Sequence, residues 1–169
     1  MAKNTIKLKK YLNVIEEYEA AAAIIPGELI ELTTAGTVQV HSTASGNCLP
    51  MFALEDELQG KGIDEAYAAG DQVQVWIPTR GDQVYAILAD GNDVEIGNFL
   101  ESNGAGELQL HAGLDVGSGG VVEYAEPIVA VALEAVTLSG SSGDESSGWG
   151  YDSVIAVLGT NRRIKVRIL

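Results

Sequence analysis

The stretch Gly70-Asp71-Gln72-Val73-Gln74-Val75-Trp76-Ile77-Pro78-Thr79-Arg80-Gly81-Asp82-Gln83-Val84-Tyr85-Ala86-Ile87-Leu88 decides the fold class. Val73, Val75 and Ile77 alternate with polar or amphipathic neighbours. Val84, Ala86 and Leu88 repeat the alternation after a break, which is the two-residue period of half-buried strands. Between the runs, Pro78 cannot donate to a ladder and Gly81 tolerates positive φ, so this segment has turn chemistry. The spacing predicts one antiparallel hairpin with a loop of about four or five residues.

The same alternation recurs on both sides of this stretch. Glu28 to Thr34 and Thr37 to His41, around Ala35-Gly36, read as a second hairpin. Leu49 to Leu54, Val94 to Ile96 and the pair around Asn103-Gly104 read as further strands. Ile128 to Leu138 is the longest apolar run, rich in β-branched and small residues, and is expected to be a central strand buried on both faces. Val121 to Tyr124, Asp152 to Leu158 and Ile164 to Leu169 bring the total to about ten short strands with little helix. The expected class is mainly β: a small antiparallel barrel, a tulip-like barrel or a sandwich. From Tyr11 to Ile25 two readings stand side by side. Tyr11, Val14, Ile15, Tyr18 and Ala22 fall at helical steps, yet the segment also suits an extended arm that orders against a partner. Residues 1–26 are read as an N-terminal arm and 27–169 as a single body, with 139–150 a Gly/Ser loop ending near Trp149 and Tyr151.

With 169 residues the chain is long enough for one well-buried domain and short for two. No apolar run approaches a membrane span, and the lysine-bearing start lacks a signal peptide's apolar stretch, so a soluble protein with no membrane partner is expected. The single cysteine, Cys48, excludes an internal disulfide and any cysteine-based zinc cluster. All 24 acids lie between Glu16 and Asp152, whereas eight of the ten cations are Lys3, Lys7, Lys9, Lys10, Arg162, Arg163, Lys165 and Arg167. Residues 11–161 thus set Lys61 and Arg80 against all 24 acids, a formal charge of −22 that repels phosphate and argues against a nucleic-acid partner.

Catalytic patterns are sparse. His41 and His111 are the only histidines, and neither sits in a nucleophile motif. The glycines from Gly113 to Gly120 lack the Lys and Ser/Thr of a phosphate loop. Asp90-Gly91-Asn92-Asp93 and Asp144-Glu145 offer oxygen ligands without EF-hand spacing. No enzyme activity, catalytic residue, cofactor or metal site is expected.

Several motifs do resemble a family. Ile6-Lys7-Leu8-Lys9-Lys10-Tyr11, Ile25-Pro26-Gly27-Glu28-Leu29, Met51-Phe52-Ala53-Leu54-Glu55-Asp56-Glu57-Leu58-Gln59-Gly60, Gly97-Asn98-Phe99-Leu100-Glu101-Ser102-Asn103-Gly104 and Val129-Ala130-Val131-Ala132-Leu133-Glu134 follow one another in the order seen in tailed-bacteriophage head-decoration, or cement, proteins. The resemblance implies a β-rich virion protein made in the host cytoplasm and carried on the outer surface of the capsid. Its partners would be the major capsid protein, whose neighbouring subunits it bridges, and further copies of itself as a homotrimer, formed in solution or only on the capsid. The expected partner-binding residues are Lys3, Ile6, Lys7, Leu8, Lys9, Lys10 and Tyr11 of the arm, with Trp149 and Tyr151. The lysines would steer, and Ile6, Leu8 and Tyr11 would anchor. The competing reading is a host-surface or carbohydrate-binding β-module of a virion fibre or spike, with Trp149 and Tyr151 as its aromatic platform.

Overall fold

The computed structural model describes residues 4–111, 128–136 and 162–169. These form eleven strands: β1 Lys7–Lys9, β2 Val14–Glu19, β3 Ile30–Leu32, β4 Val38–Val40, β5 Phe52–Ala53, β6 Gln72–Ile77, β7 Gln83–Leu88, β8 Phe99–Ser102, β9 Leu108–Leu110, β10 Ile128–Ala132 and β11 Arg162–Ile168. A single 3-10 turn, Glu57–Gln59, accompanies them. The mainly β class is therefore as expected.

Alternation builds the barrel. Val84, Ala86 and Leu88 of β7 lie against Ile164, Val166 and Ile168 of β11, all essentially fully buried. Val84 stands opposite Val166 and Ala86 opposite Ile164. The strands run β1-β7-β11-β10-β8-β9, and β9 returns to β7 through a parallel pair, Leu88 with Leu108. The circuit β7-β11-β10-β8-β9 is thus a closed five-stranded barrel, and closure removes the open edges that β7 and β9 would otherwise present. As expected, β10 is central, flanked by β11 and β8. Its Val129, Ala130 and Ala132 are sealed while Ile128 and Val131 remain half-exposed, so burial on both faces holds for only part of the strand, which ends at Ala132.

A second sheet, β2-β6-β5, lies between two apolar clusters. Phe52, Leu54 and Trp76 join Ile6 and the barrel interior. Ala53, Val73 and Val75 face the other way, onto Ile30 and Val38 of the β3–β4 ribbon, Met51 and Tyr67. The β3–β4 and β8–β9 hairpins form as the sequence predicts. The Val94 to Ile96 strand shrinks to a single bridge between Val94 and Val136.

Three expectations are corrected. β6 and β7 are not a hairpin. β6 pairs with β2 over six residues, from Val14–Ile77 to Glu19–Gln72, whereas β7 pairs with β1 and β11. The turn between them is closed locally, Asp82 N donating to Thr79 O at 3.0 Å, and is also tied to distant parts of the chain. The Asp82 carboxylate accepts from Thr79 N (2.8 Å) and Tyr11 N (2.6 Å), Gly81 N donates to Ile168 O, and Pro78 has no N–H. Moreover β6 carries fully buried side chains on both faces, which suits an inner strand rather than one half of a surface hairpin.

The helical reading of Tyr11 to Ile25 also fails. Val14, Ile15 and Tyr18 are β-branched or aromatic, and Val14–Glu19 extends along β6. Nor does the described part of the N-terminal segment leave the body. Ile6 is fully buried, its N–H bonded to Glu55 Oε2 at 3.1 Å, and Ala20 and Ile24 are core residues.

Candidate functional site

Three exposed apolar side chains, Tyr11, Leu12 and Leu169, stand where β1, the 78–82 corner and the end of β11 meet. Asp82 has no solvent exposure and is the pin of this corner. Besides Thr79 N and Tyr11 N it accepts the Thr79 hydroxyl at 3.0 Å, and its backbone carbonyl takes Ile168 N at 3.0 Å. The pin holds Tyr11 so that its ring covers Gly81, whose φ is +97° and where a Cβ would stand 3.3 Å from Tyr11 Cε2. The Lys9 ammonium lies 5.3 Å from the Tyr11 ring centroid, within cation–π range. Tyr11 is nonetheless 65% exposed and Leu12 59%, and Leu169, one residue beyond Ile168, is also exposed.

Cations surround this apolar corner. Lys9 and Arg167 both pair with Gln83, one from each side, so they stand abreast on one face of β1-β7-β11. Both are exposed, as are Lys10 and Arg80. Cationic groups thus surround exposed aromatic and aliphatic side chains, an arrangement of polar rim and apolar centre that is common in protein interfaces.

A second exposed feature adjoins it. β2 ends the three-stranded sheet, and Val14, Ile15, Glu16 and Glu17 are all exposed, so the strand stands clear of solvent-excluding cover on both faces. An unpaired edge with apolar side chains is a ready template for another strand.

Of the residues expected to bind a partner, Tyr11, Lys9 and Lys10 come together at this corner. Lys7 is half-exposed on β1, and Leu8 packs partly against the barrel core. Ile6 is corrected: it is a core residue with no surface to offer, because its Cδ1 fills the slot beside Gly27. Lys3, Trp149 and Tyr151 lie outside the described residues, as do the Gly113 to Gly120 run, Asp144-Glu145 and the 139–150 loop.

The titratable groups inside the fold act as fasteners. His41, fully buried, has Nδ1 2.8 Å from Ser102 Oγ and Nε2 3.4 Å from Asn47 O, and Ser102 is sealed as well. A histidine and a serine in contact resemble half of a nucleophilic site, but no solvent or substrate reaches either. Burial pushes the Glu101 carboxyl up, but hydrogen bonds from Ser45, His111 and Gln109 more than offset this and hold its pKa below the usual value. Burial, with Glu31 nearby, pushes the Cys48 thiol up to about 11, which keeps it protonated and unreactive. Among the described residues no three His, Cys or acidic side chains could hold a metal ion. The Asp90 and Asn92 oxygens are used by Gly91 N and Leu110 N. The role of Asp82 and the His41–Ser102 contact were missed from the sequence; the only hint for Asp82 was an acidic residue three positions after Thr79, a side-chain turn pattern.

No protein-family model matches the chain, and no curated protein does. Among solved structures, it is similar to the N base of head fiber gp8.5 of bacteriophage phi29. The match has a TM-score of 0.51 and covers 94% of this chain and 95% of that one, at 10% sequence identity. At that identity the likeness is one of fold, and it extends over nearly the whole of both chains.

Proposed function

We propose that this chain is a structural protein of a bacteriophage virion, without catalytic activity, carried on the outside of the head. It would attach to the major capsid protein through the corner formed by Lys9, Lys10, Tyr11, Leu12, Arg80, Arg167 and Leu169, bridge neighbouring capsid subunits and so stabilise the shell. The observation that carries this reading is the fold shared with a head fiber base over almost the entire chain. The order of cement-protein motifs and the exposed cationic-apolar corner support it. Tyr and Arg side chains are enriched among the residues that dominate interface energetics, and Tyr11, Arg80 and Arg167 supply that chemistry at the corner.

A second reading follows from the same likeness: the chain is the base of a fibre or spike and presents a further module to the outside. The two readings differ in occupancy. A bridging protein repeats over the whole capsid lattice and raises the temperature at which heads release DNA. A fibre base occupies separate positions and leaves that temperature unchanged.

The experiment is cosedimentation of the purified protein with heads that lack it, followed by a thermal DNA-release assay. Wild type should pellet with heads, and Tyr11→Ala/Leu12→Ala should lose at least about tenfold in affinity, since two anchor truncations together cost roughly 2–4 kcal/mol. Wild-type protein that stays in the supernatant would overturn the reading.

A further inference from the structure

Two strand edges of this chain carry opposite charge. β1, at the end of the six-stranded sheet, is Lys7-Leu8-Lys9 followed by Lys10, whereas β2, at the end of the three-stranded sheet, carries Glu16, Glu17 and Glu19. Among the described residues neither strand has a ladder on its outer side, and the ion pairs within the chain use none of these six charges. Such charges do more than blunt an edge. β1 against β1 would set lysines against lysines, β2 against β2 would set carboxylates against carboxylates, and like charges directly opposite destabilise a strand pair. β1 against β2 is the one combination that brings opposite charges together.

We propose that copies of this chain associate heterologously, the basic β1 edge of one copy pairing with the acidic β2 edge of the next. Exposed Val14 and Ile15 on β2 give the added strand apolar contacts to either side of the ladder. Because each copy has one edge of each kind, the contacts either close on themselves, in a reciprocal pair or a larger ring, or propagate as an open chain. A three-residue strand covers only half of a six-residue one, so a single contact is far smaller than a standard interface of about 1,600 Å². Ring closure, in which every copy uses both edges, supplies the second contact at high effective concentration. The net charge of −14 opposes approach, but at physiological salt the Debye length of roughly 8 Å screens that repulsion while the abutting pairs persist.

The test is disulfide trapping with Cys48→Ser in every chain. Lys9→Cys is mixed in turn with Ile15→Cys, Glu16→Cys and Glu17→Cys to cover the neighbouring registers, since a bridge forms only between Cα atoms about 4.4–6.8 Å apart. At least one mixture should give about tenfold more inter-chain dimer than either of its components alone. In sedimentation velocity, Lys7→Glu/Lys9→Glu/Lys10→Glu should lose self-association, Glu16→Lys/Glu17→Lys/Glu19→Lys should lose it too, and the chain carrying all six reversals should recover it. Equal trapping within a single variant, no trapped dimer in any mixture, or failure of the six-fold reversal to restore association would each overturn the proposal and leave the charges as edge protection only.

Discussion

Asp82→Asn tests how the corner is held. The wild-type carboxylate accepts from two backbone N–H groups, Tyr11 at 2.6 Å and Thr79 at 2.8 Å, and from the Thr79 hydroxyl at 3.0 Å. The substitution keeps the shape but leaves one acceptor oxygen, so an amide NH2 must point at one of the two backbone donors. A hydrogen bond to a charged group contributes about 1.5–3 kcal/mol, and a buried donor left unpaired costs about 1–3 kcal/mol. Losing one charge-assisted bond and weakening the others should therefore cost about 2–4 kcal/mol, which for a domain of this size lowers Tm by roughly 5–15 °C. Urea unfolding followed by fluorescence of the fully buried Trp76 measures the stability, and an unchanged m value would locate the effect in the native state. Amide exchange at Tyr11 reads the same contact locally and should accelerate well beyond the global change. A loss below about 1 kcal/mol with unaltered protection at Tyr11 would refute the assignment of Asp82 as the pin.

Other outcomes follow from the same structure. Burial pushes the Glu28 carboxyl up to about 7, Glu107 nearby adding to the shift while the Ile25 N–H and Arg163 oppose it. The folded state then binds a proton that the unfolded state has released, so stability should fall by on the order of 2–3 kcal/mol as pH rises from about 4.5 to 7 and level off above. Glu28→Gln, which keeps an acceptor for Ile25 N, should flatten that slope in pH-dependent denaturant melts. Gly104→Ala would place a Cβ 2.6 Å from the backbone nitrogen of Ala44 at a φ of +80°, and differential scanning calorimetry should register a loss of roughly 2–4 kcal/mol. Cys48, half-buried with its thiol pushed up to about 11, should react with a thiol reagent at pH 8 at least about a hundredfold more slowly in the folded protein than in urea.

Much of the barrel was legible because the inward-facing residues of its strands recur with period two, even though β7 is also buried at Tyr85 and Ile87 on its other face. Val84, Ala86, Leu88, Ile164 and Val166 reveal their buried face by period alone, and the β3–β4 and β8–β9 hairpins are closed by residues whose turn chemistry is local. Strand pairing was not legible between β6 and β7. Their intervening turn looks like a hairpin loop, and Asp82 also ties it to Tyr11, 71 positions away in the chain. The N-terminal segment was misread for a related reason. Ile6 and Leu8 stand among lysines and look too sparse to pack, yet Ile6 fills a slot that only the assembled body provides, beside Gly27 and under the Glu55 carboxylate. Of the candidate surface, residue types were readable and their juxtaposition was not: Lys9 and Arg167 become neighbours only through Gln83.

The segregation of charge along the chain has more than one cause. On the outward face of β11 Arg163 is spent inside the molecule. Its guanidinium reaches Asp64 at 2.6 Å, Pro26 O at 3.0 Å and Ile63 O, tying two loops to the barrel wall. That cation is buried and hydrogen-bonded, so its role is to fasten the fold, and it is withdrawn from any interface. Arg167, four positions on and facing the same way, is exposed and joins Lys9 across Gln83. Lys10 and Tyr11 continue the surface, and four residues after Lys10 the chain enters β2, where the carboxylates begin. Exposed charge therefore changes sign along one short continuous path, from the barrel wall over the corner to the free edge. On the proposed reading, a partner would approach a dipolar surface whose cationic end adjoins apolar side chains and whose anionic end adjoins an open strand, and would be oriented before any apolar contact forms. Orientation of that kind is lost if either end is neutralised, even though every buried residue stays in place.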